Sequence, residues 1–232
     1  MSSDAAPGFA EGCDRSEGVG GVARKKDQAA RRQQLVQATI ELIADQGIEA
    51  LTLAAIADRA GVSHRLVAYY YAQLDSLVLE AHEAAVERYY WARLRALDQT
   101  AEPAQQLLQL IRSGLPGRAD RRLSQVLNEL SVSASRSPVH ARLMARLFDR
   151  EVSLYLSLLE KGQADGVFRL SQPTLSIARN LVALEDAYGF HLLARHSSVD
   201  ATAALDALVS YARTATGAEL LSPASPGSSR GG

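Results

Sequence analysis

From Gln28 to Thr216 the apolar residues recur three and four apart, and no stretch alternates apolar with polar residues over the length a strand needs. That periodicity confines the chain to helices, and glycine and proline mark where helices stop. Gly47 and Gly61 suit C-terminal ends, Thr52 and Ser63 suit N-caps, and Pro103, Pro138 and Pro173 stand where a first helical turn tolerates proline. The pattern predicts an all-α fold of about nine helices. The first spans roughly Gln28 to Gln46, a short one spans Leu53 to Ala60, and a third follows Ser63. A long helix runs from about Asp75 to Gln99. Five more follow, set apart by residues 114–117, 135–138, 166–173 and 196–200.

With 232 residues, 47% of them hydrophobic, the chain can bury a sizeable core. The formal net charge is only -1, so a nucleic-acid surface must come from local placement of charge. Arg24, Lys25, Lys26, Arg31 and Arg32 stand against one acid, Asp27, just ahead of the first strongly periodic helix, which makes a phosphate-binding arm. Cys13 is the single cysteine, which rules out an intramolecular disulfide and fits a cytoplasmic location. The opening MSSDAAPGFAEGCD lacks the apolar run of a signal or anchor, and no uncharged apolar stretch is long enough to span a bilayer. Residues 1–21 and 221–232 read as disordered tails. Between them, residues 22–73 form one expected domain and 74–220 a second.

Residues 52–71, TLAAIADRAGVSHRLVAYYY, carry the strongest local signal. Ile56, Ala57 and Val67 can meet between two short helices, and Gly61 permits a left-handed backbone in the turn. On the third helix Leu66, Val67, Tyr70 and Tyr71 fall on one face, and His64, Arg65, Ala68 and Tyr69 on the other. An outward face bearing Arg, His and Tyr suits base reading and phosphate contact in a major groove. The longer stretch RRQQLVQATIELIADQGIEALTLAAIADRAGVSHRLVAYYYAQLDSL resembles the DNA-binding domain of the TetR family of transcription regulators. Leu35, Val36, Gly47, Thr52, Ile56, Ala57, Gly61, Val62, Ser63 and Leu77 carry the match.

The resemblance implies that Thr52 and Ser63 touch phosphates and that the helix from His64 to Tyr70 enters the major groove. It also implies that the motif DGVFR, residues 165–169, precedes two last helices that form a homodimer bundle. Three positions depart from the family pattern. Ala68 replaces a frequent aromatic, which moves the phosphate-contacting hydroxyl to Tyr69 or Tyr70. Leu74 replaces a lysine, and Arg65 stands where glycine is common. The residues themselves also suggest a dimer. Ala178, Leu181, Val182, Tyr188 and Leu192 make one apolar face of the eighth helix, and Ile177, Leu184, Ala187 and Leu193 a second.

Family members bind a small effector between the long fourth helix and helices five to eight. Candidate lining residues here are Tyr89, Tyr90 and Trp91 on the fourth helix and Asn128 and Glu129 on the sixth. The eighth helix offers Glu185, Tyr188 and His191. An acid among Trp and Tyr rings would suit a cationic ligand. No cofactor is called for. A phosphate loop, a Gly-x-Ser-x-Gly elbow and a His-Glu-x-x-His motif are all missing, and His191 and His196 are misplaced for a shared metal. An enzyme is thereby disfavoured, and a protein-binding scaffold is the other alternative. The resemblance implies a sequence-specific regulator, a repressor that a small molecule releases from operator DNA.

Overall fold

The structure, a computed structural model, describes residues 17–117, 121–195 and 198–219, with side chains from Lys26 onward. Among the described residues are nine α-helices and one 3-10 turn, Ile48–Ala50. The first three are α1 (Glu17–Gln46), α2 (Leu53–Ala60) and α3 (His64–Tyr70). Next come α4 (Leu74–Arg95), α5 (Pro103–Gly114) and α6 (Arg121–Ala134). The last three are α7 (Pro138–Ala164), α8 (Thr174–Leu193) and α9 (Ala201–Thr216). The all-α expectation therefore holds. Pro103 and Pro138 open their helices, while Pro173 stands one position earlier, as the cap of α8. No helix is long and apolar enough to cross a membrane among the described residues.

Three boundaries differ from the periodic pattern. Helix α1 starts at Glu17, well before the expected Gln28 and inside the segment that reads as a tail. Its side chains from Lys26 to Gln33 are exposed, and Leu35 is its first buried position. From Lys26 to Gln33 the exposed residues are Lys, Arg, Gln, Asp and Ala, which offer no apolar period to announce a helix. Helix α4 ends at Arg95 rather than Gln99 because Asp98 turns the chain. Its carboxylate accepts from the Thr100 amide at 2.9 Å and hydroxyl at 2.7 Å. Helix α8 stops at Leu193 before Arg195, whose φ of 54° is left-handed. His196 and the outer tail residues 1–16 and 220–232 lie outside the described residues.

Two apolar cores hold the molecule. In the first, Leu35 and Ile43 of α1 meet Ile56, Val67, Leu77 of α4 and Val126 of α6. It runs unbroken past residue 73, so the expected boundary at 73/74 falls inside continuous packing. The second joins α5, α7, α8 and α9 through Leu107, Tyr155, Leu159, Leu181 and Leu208. The motif at 165–169 secures it. Gly166 turns at φ 73°, the Val167 and Phe168 amides donate to the Gly162 carbonyl at 2.8 and 3.0 Å, and Arg169 N–H donates to Thr216 at 2.7 Å. A side chain at Gly162 would overlap the Phe168 ring, so glycine lets that ring lie on α7.

Helix α8 buries one stripe, not two. Ile177, Ala178, Leu181, Val182, Glu185, Gly189 and Leu192 all face inward. Ile177, expected on the second face, is fully buried with Leu181, and Leu184 packs partly against the same core. The outward stripe is Ala183, Asp186, Ala187 and Phe190.

Candidate nucleic-acid interface and ligand cavity

Helices α2 and α3 are set by matching caps. Thr52 Oγ1 accepts from the Ala55 amide at 3.0 Å, and Ser63 Oγ accepts from the Leu66 amide at 3.3 Å. Capping uses a hydroxyl lone pair, so each O–H proton stays available to a phosphate oxygen. Between the helices Gly61 adopts φ 66°, and Val62 N–H returns to the Ala57 carbonyl at 3.0 Å. Ile56, Ala57 and Val67 are buried where the two helices meet.

The fixed inner face of α3 determines its outer one. Val67 and Tyr71 are buried and Tyr70 is half-buried, which turns His64, Arg65, Ala68 and Tyr69 to solvent. Tyr69 is 72% exposed with its ring edge-on to Tyr70. Arg65 has no ion-pair partner among the described residues. Tyr71, just past the end of α3, anchors it. Its hydroxyl donates to Glu80 of α4 at 2.7 Å, Glu80 also bonds Arg32 of α1 at 3.2 Å, and the Arg32 guanidinium lies over the Tyr71 ring at 5.2 Å. Burial and the Glu80 hydrogen bond push the Tyr71 phenol up to about 12, so it stays protonated and keeps donating. Arg32, counted in the basic arm, is thus occupied in holding α3. Arg31 bonds Gln34 at 2.9 Å, and Lys26 is exposed. The side chains of Arg24 and Lys25 lie outside the described residues.

Helices α4, α5, α6, α7 and α8 enclose a cavity of about 480 Å³. Tyr89 and the α5 end at Gly114 and Pro116 form one wall, Leu127 and Asn128 of α6 a second, and Phe148 and Glu151 of α7 a third. Helix α8 contributes buried Glu185 and Gly189 to its inner wall and exposed Asp186 and Phe190, of the outward stripe, to its mouth. Beneath lies Arg93, 1% exposed. Its Nη1 donates to Glu185 Oε2 at 2.8 Å and to Glu151, and its Nη2 donates to Glu185 Oε1 at 3.0 Å and the Leu110 carbonyl at 3.3 Å. Tyr155 donates to Glu185, and Tyr89 to the Gly114 carbonyl at 3.2 Å. The carboxylates hold the Arg93 guanidinium charged despite its burial. Burial raises the Glu151 carboxyl against the pull of Arg93.

Of the expected lining residues, Asn128, Glu185 and Tyr89 meet here and five do not. Tyr90 is one helical step round from Tyr89 and lies under the Arg150 guanidinium at 3.6 Å. Trp91 is 47% exposed and donates to Glu87 at 3.1 Å. Glu129 points to the helix-turn-helix, its carboxylate 3.6 Å from where a side chain on Gly47 would begin. Tyr188 packs partly into the second core, and His191 meets the edge of the Phe190 ring. In each case the helix turns the side chain away from the cavity.

Among the described residues a capped helix-turn-helix stands at one end and a larger all-helical unit at the other. Residues 35–81 match the bacterial regulatory proteins of the tetR family. The chain is 42% identical over 64 residues to the HTH-type transcriptional regulator BetI 1 of Chromohalobacter salexigens, covering 28% of this chain and 30% of that protein. It is 40% identical over 84 residues to BetI of Cronobacter sakazakii, covering 34% and 41%. The chain thus spans under half the length of these relatives, and the matches are regulators, not enzymes. In fold it is similar to a transcriptional regulator from Saccharomonospora viridis in complex with choline, with a TM-score of 0.75, 22% identity, and coverage of 82% of this chain and 98% of that one. A TetR transcription regulator from Haloarcula marismortui gives a TM-score of 0.73 at 21% identity, covering 81% and 99%. Residues 35–81 are thus similar to the tetR-family DNA-binding domain, and the chain shares its fold with these regulators.

Proposed function

We propose that the protein is a sequence-specific, homodimeric transcription regulator of the cytoplasm, a repressor that a small-molecule effector releases from operator DNA. Residues 22–73 serve DNA binding, and 74–220 serve effector binding and dimerisation. The observation that carries this reading is the division of α3: Val67 and Tyr71 are locked inside while His64, Arg65 and Tyr69 stand free on a helix short enough for a major groove. Thr52, Ser63, Tyr69 and the basic end of α1 with Arg24, Lys25 and Lys26 then reach phosphates, and half-buried Tyr70 reaches one with its hydroxyl. The cavity supports the effector half, as does the ligand in the similar Saccharomonospora viridis structure. Gel shift with the full chain and the DNA upstream of its own gene tests the reading. A specific complex that survives competition by random DNA is expected. Equal affinity for any sequence, or none, overturns it.

A further inference from the structure

The cavity is charged in one sense. Glu151, Glu185 and Asp186 line it, and no Lys, Arg or His side chain does among the described residues. Arg93 beneath bridges Glu151 and Glu185, so one guanidinium answers three carboxylates. Glu151, 4% exposed, bonds Arg93 through one oxygen only, and Asp186 has no hydrogen-bond or ion-pair partner among the described residues. The groups facing Asp186 are Glu151 of α7, Arg93 and Tyr89 of α4 and its neighbour Glu185. Enclosure and the Glu151 charge push the Asp186 carboxyl up to about 7. Burial pushes Glu185 up to about 7, against the pull of Arg93 and the Tyr155 hydroxyl. Near neutral pH Asp186 therefore holds a proton where its charge calls for a cation, while Glu185 stays the acceptor of the Arg93 and Tyr155 hydrogen bonds.

The other walls are apolar and aromatic. Tyr89, Phe148 and Phe190 stand round the carboxylates with Leu127 and Leu147. Aromatic faces attract cations, and a cavity of about 480 Å³ suits a small molecule. A fatty-acid-like anion would set its carboxylate beside these acids with no free cation to receive it.

We propose that this cavity takes a small organic cation, a substituted ammonium with its charge against Asp186 and Glu151 and its apolar body among Tyr89, Phe148 and Phe190, and that the cation displaces a proton from Asp186 as it binds. The proposal rests on reading the cavity as the effector site. In the exchange Asp186 releases one H+ to solvent and the site gains one organic cation, with no covalent change.

The test uses the full-length protein without DNA, by thermal shift and titration calorimetry at matched ionic strength. The probes are the tetramethyl- to tetrabutylammonium series and benzyltrimethylammonium, with neopentylbenzene as neutral isostere and octanoate as anion. At least one ammonium is expected to raise the melting temperature at millimolar concentration while isostere and octanoate do not. Its Kd should tighten between pH 6 and pH 8, by up to about tenfold per pH unit for each proton released. Asp186→Asn should weaken that cation at least about tenfold. Phe190→Ala, at a side chain 54% exposed and so dispensable for folding, should weaken it as well. No ammonium binding, or equal binding of octanoate or the isostere, overturns the cation site. Cation binding with a flat pH profile overturns the proton exchange. A protein that binds operator but no cation loses this proposal and keeps the regulator reading. One that binds a cation yet holds its operator unchanged loses the effector reading and keeps this site.

Discussion

Arg65 and Asp186 are single side chains whose isolation gives them their meaning. Arg65 follows the Ser63 cap and points away from Val67, and in the proposed complex its guanidinium leads α3 into a groove. Two parallel donors match guanine O6 and N7. Arg65→Ala is expected to cost about 1 to 3 kcal/mol on the operator and relax preference at one position per half-site, read by gel shift on operator variants. An equal loss on every sequence, with a smaller salt slope, would make Arg65 a phosphate contact instead. For Asp186 the folded carboxyl titrates near 7 and the unfolded one in the ordinary range. Its contribution to stability is therefore full below the unfolded pKa and is lost as pH rises through the folded one. Without ligand, Asp186→Asn should melt higher than the parent at pH 8, the gap closing as pH falls toward 4. A constant gap across that range would contradict the raised pKa. Sequence alone brings out these residues unequally: Arg65 stands in a recognisable segment, whereas nothing local marks Asp186 or Arg93. Arg93 meets partners 58 and 92 positions away, and its local pattern does not distinguish a buried cation from a solvated one.

Helices are legible where a cap or an apolar period speaks for them. Thr52, Gly61 and Ser63 set α2 and the start of α3 as expected, because capping chemistry is local. The opening turns of α1, EGVGGVA, carry three glycines and no apolar period, so they read as tail. Cavity residues on α4 are hidden for a related reason: three adjacent aromatics, Tyr89 to Trp91, point in three directions on a helix, and only packing selects Tyr89. A helical α1 extension also changes what its basic residues do. Charges on a helix hold fixed spacing against phosphates. Replacing Arg24, Lys25 and Lys26 with Ala should weaken operator and random DNA alike and lower the slope of log affinity against log salt by about 0.9 for each phosphate no longer neutralised. An unchanged slope would place this end of α1 away from DNA.

At the scale of the whole molecule, the outward stripe of α8 remains after both cores are complete. Ala183 and Ala187 are small and exposed, as a self-complementary helical seam requires. Ala187→Glu should give a folded monomer in sedimentation with unchanged helical circular dichroism. Leu181→Glu, at a fully buried position, should instead unfold the chain. A parent chain that sediments as a monomer at micromolar concentration would end the dimer reading. The buried bridge below the cavity reaches further still, into the chain's history. Any side chain at Gly114 would overlap the Glu185 carboxylate. A descendant that gains a methyl there must shorten residue 185, which strands Arg93 without its two-pronged partner and leaves Tyr155 nothing to donate to. Gly114, Glu185, Arg93 and Tyr155 are thus tied by packing, and in diverging sequences these four positions are expected to change together or stay as they are.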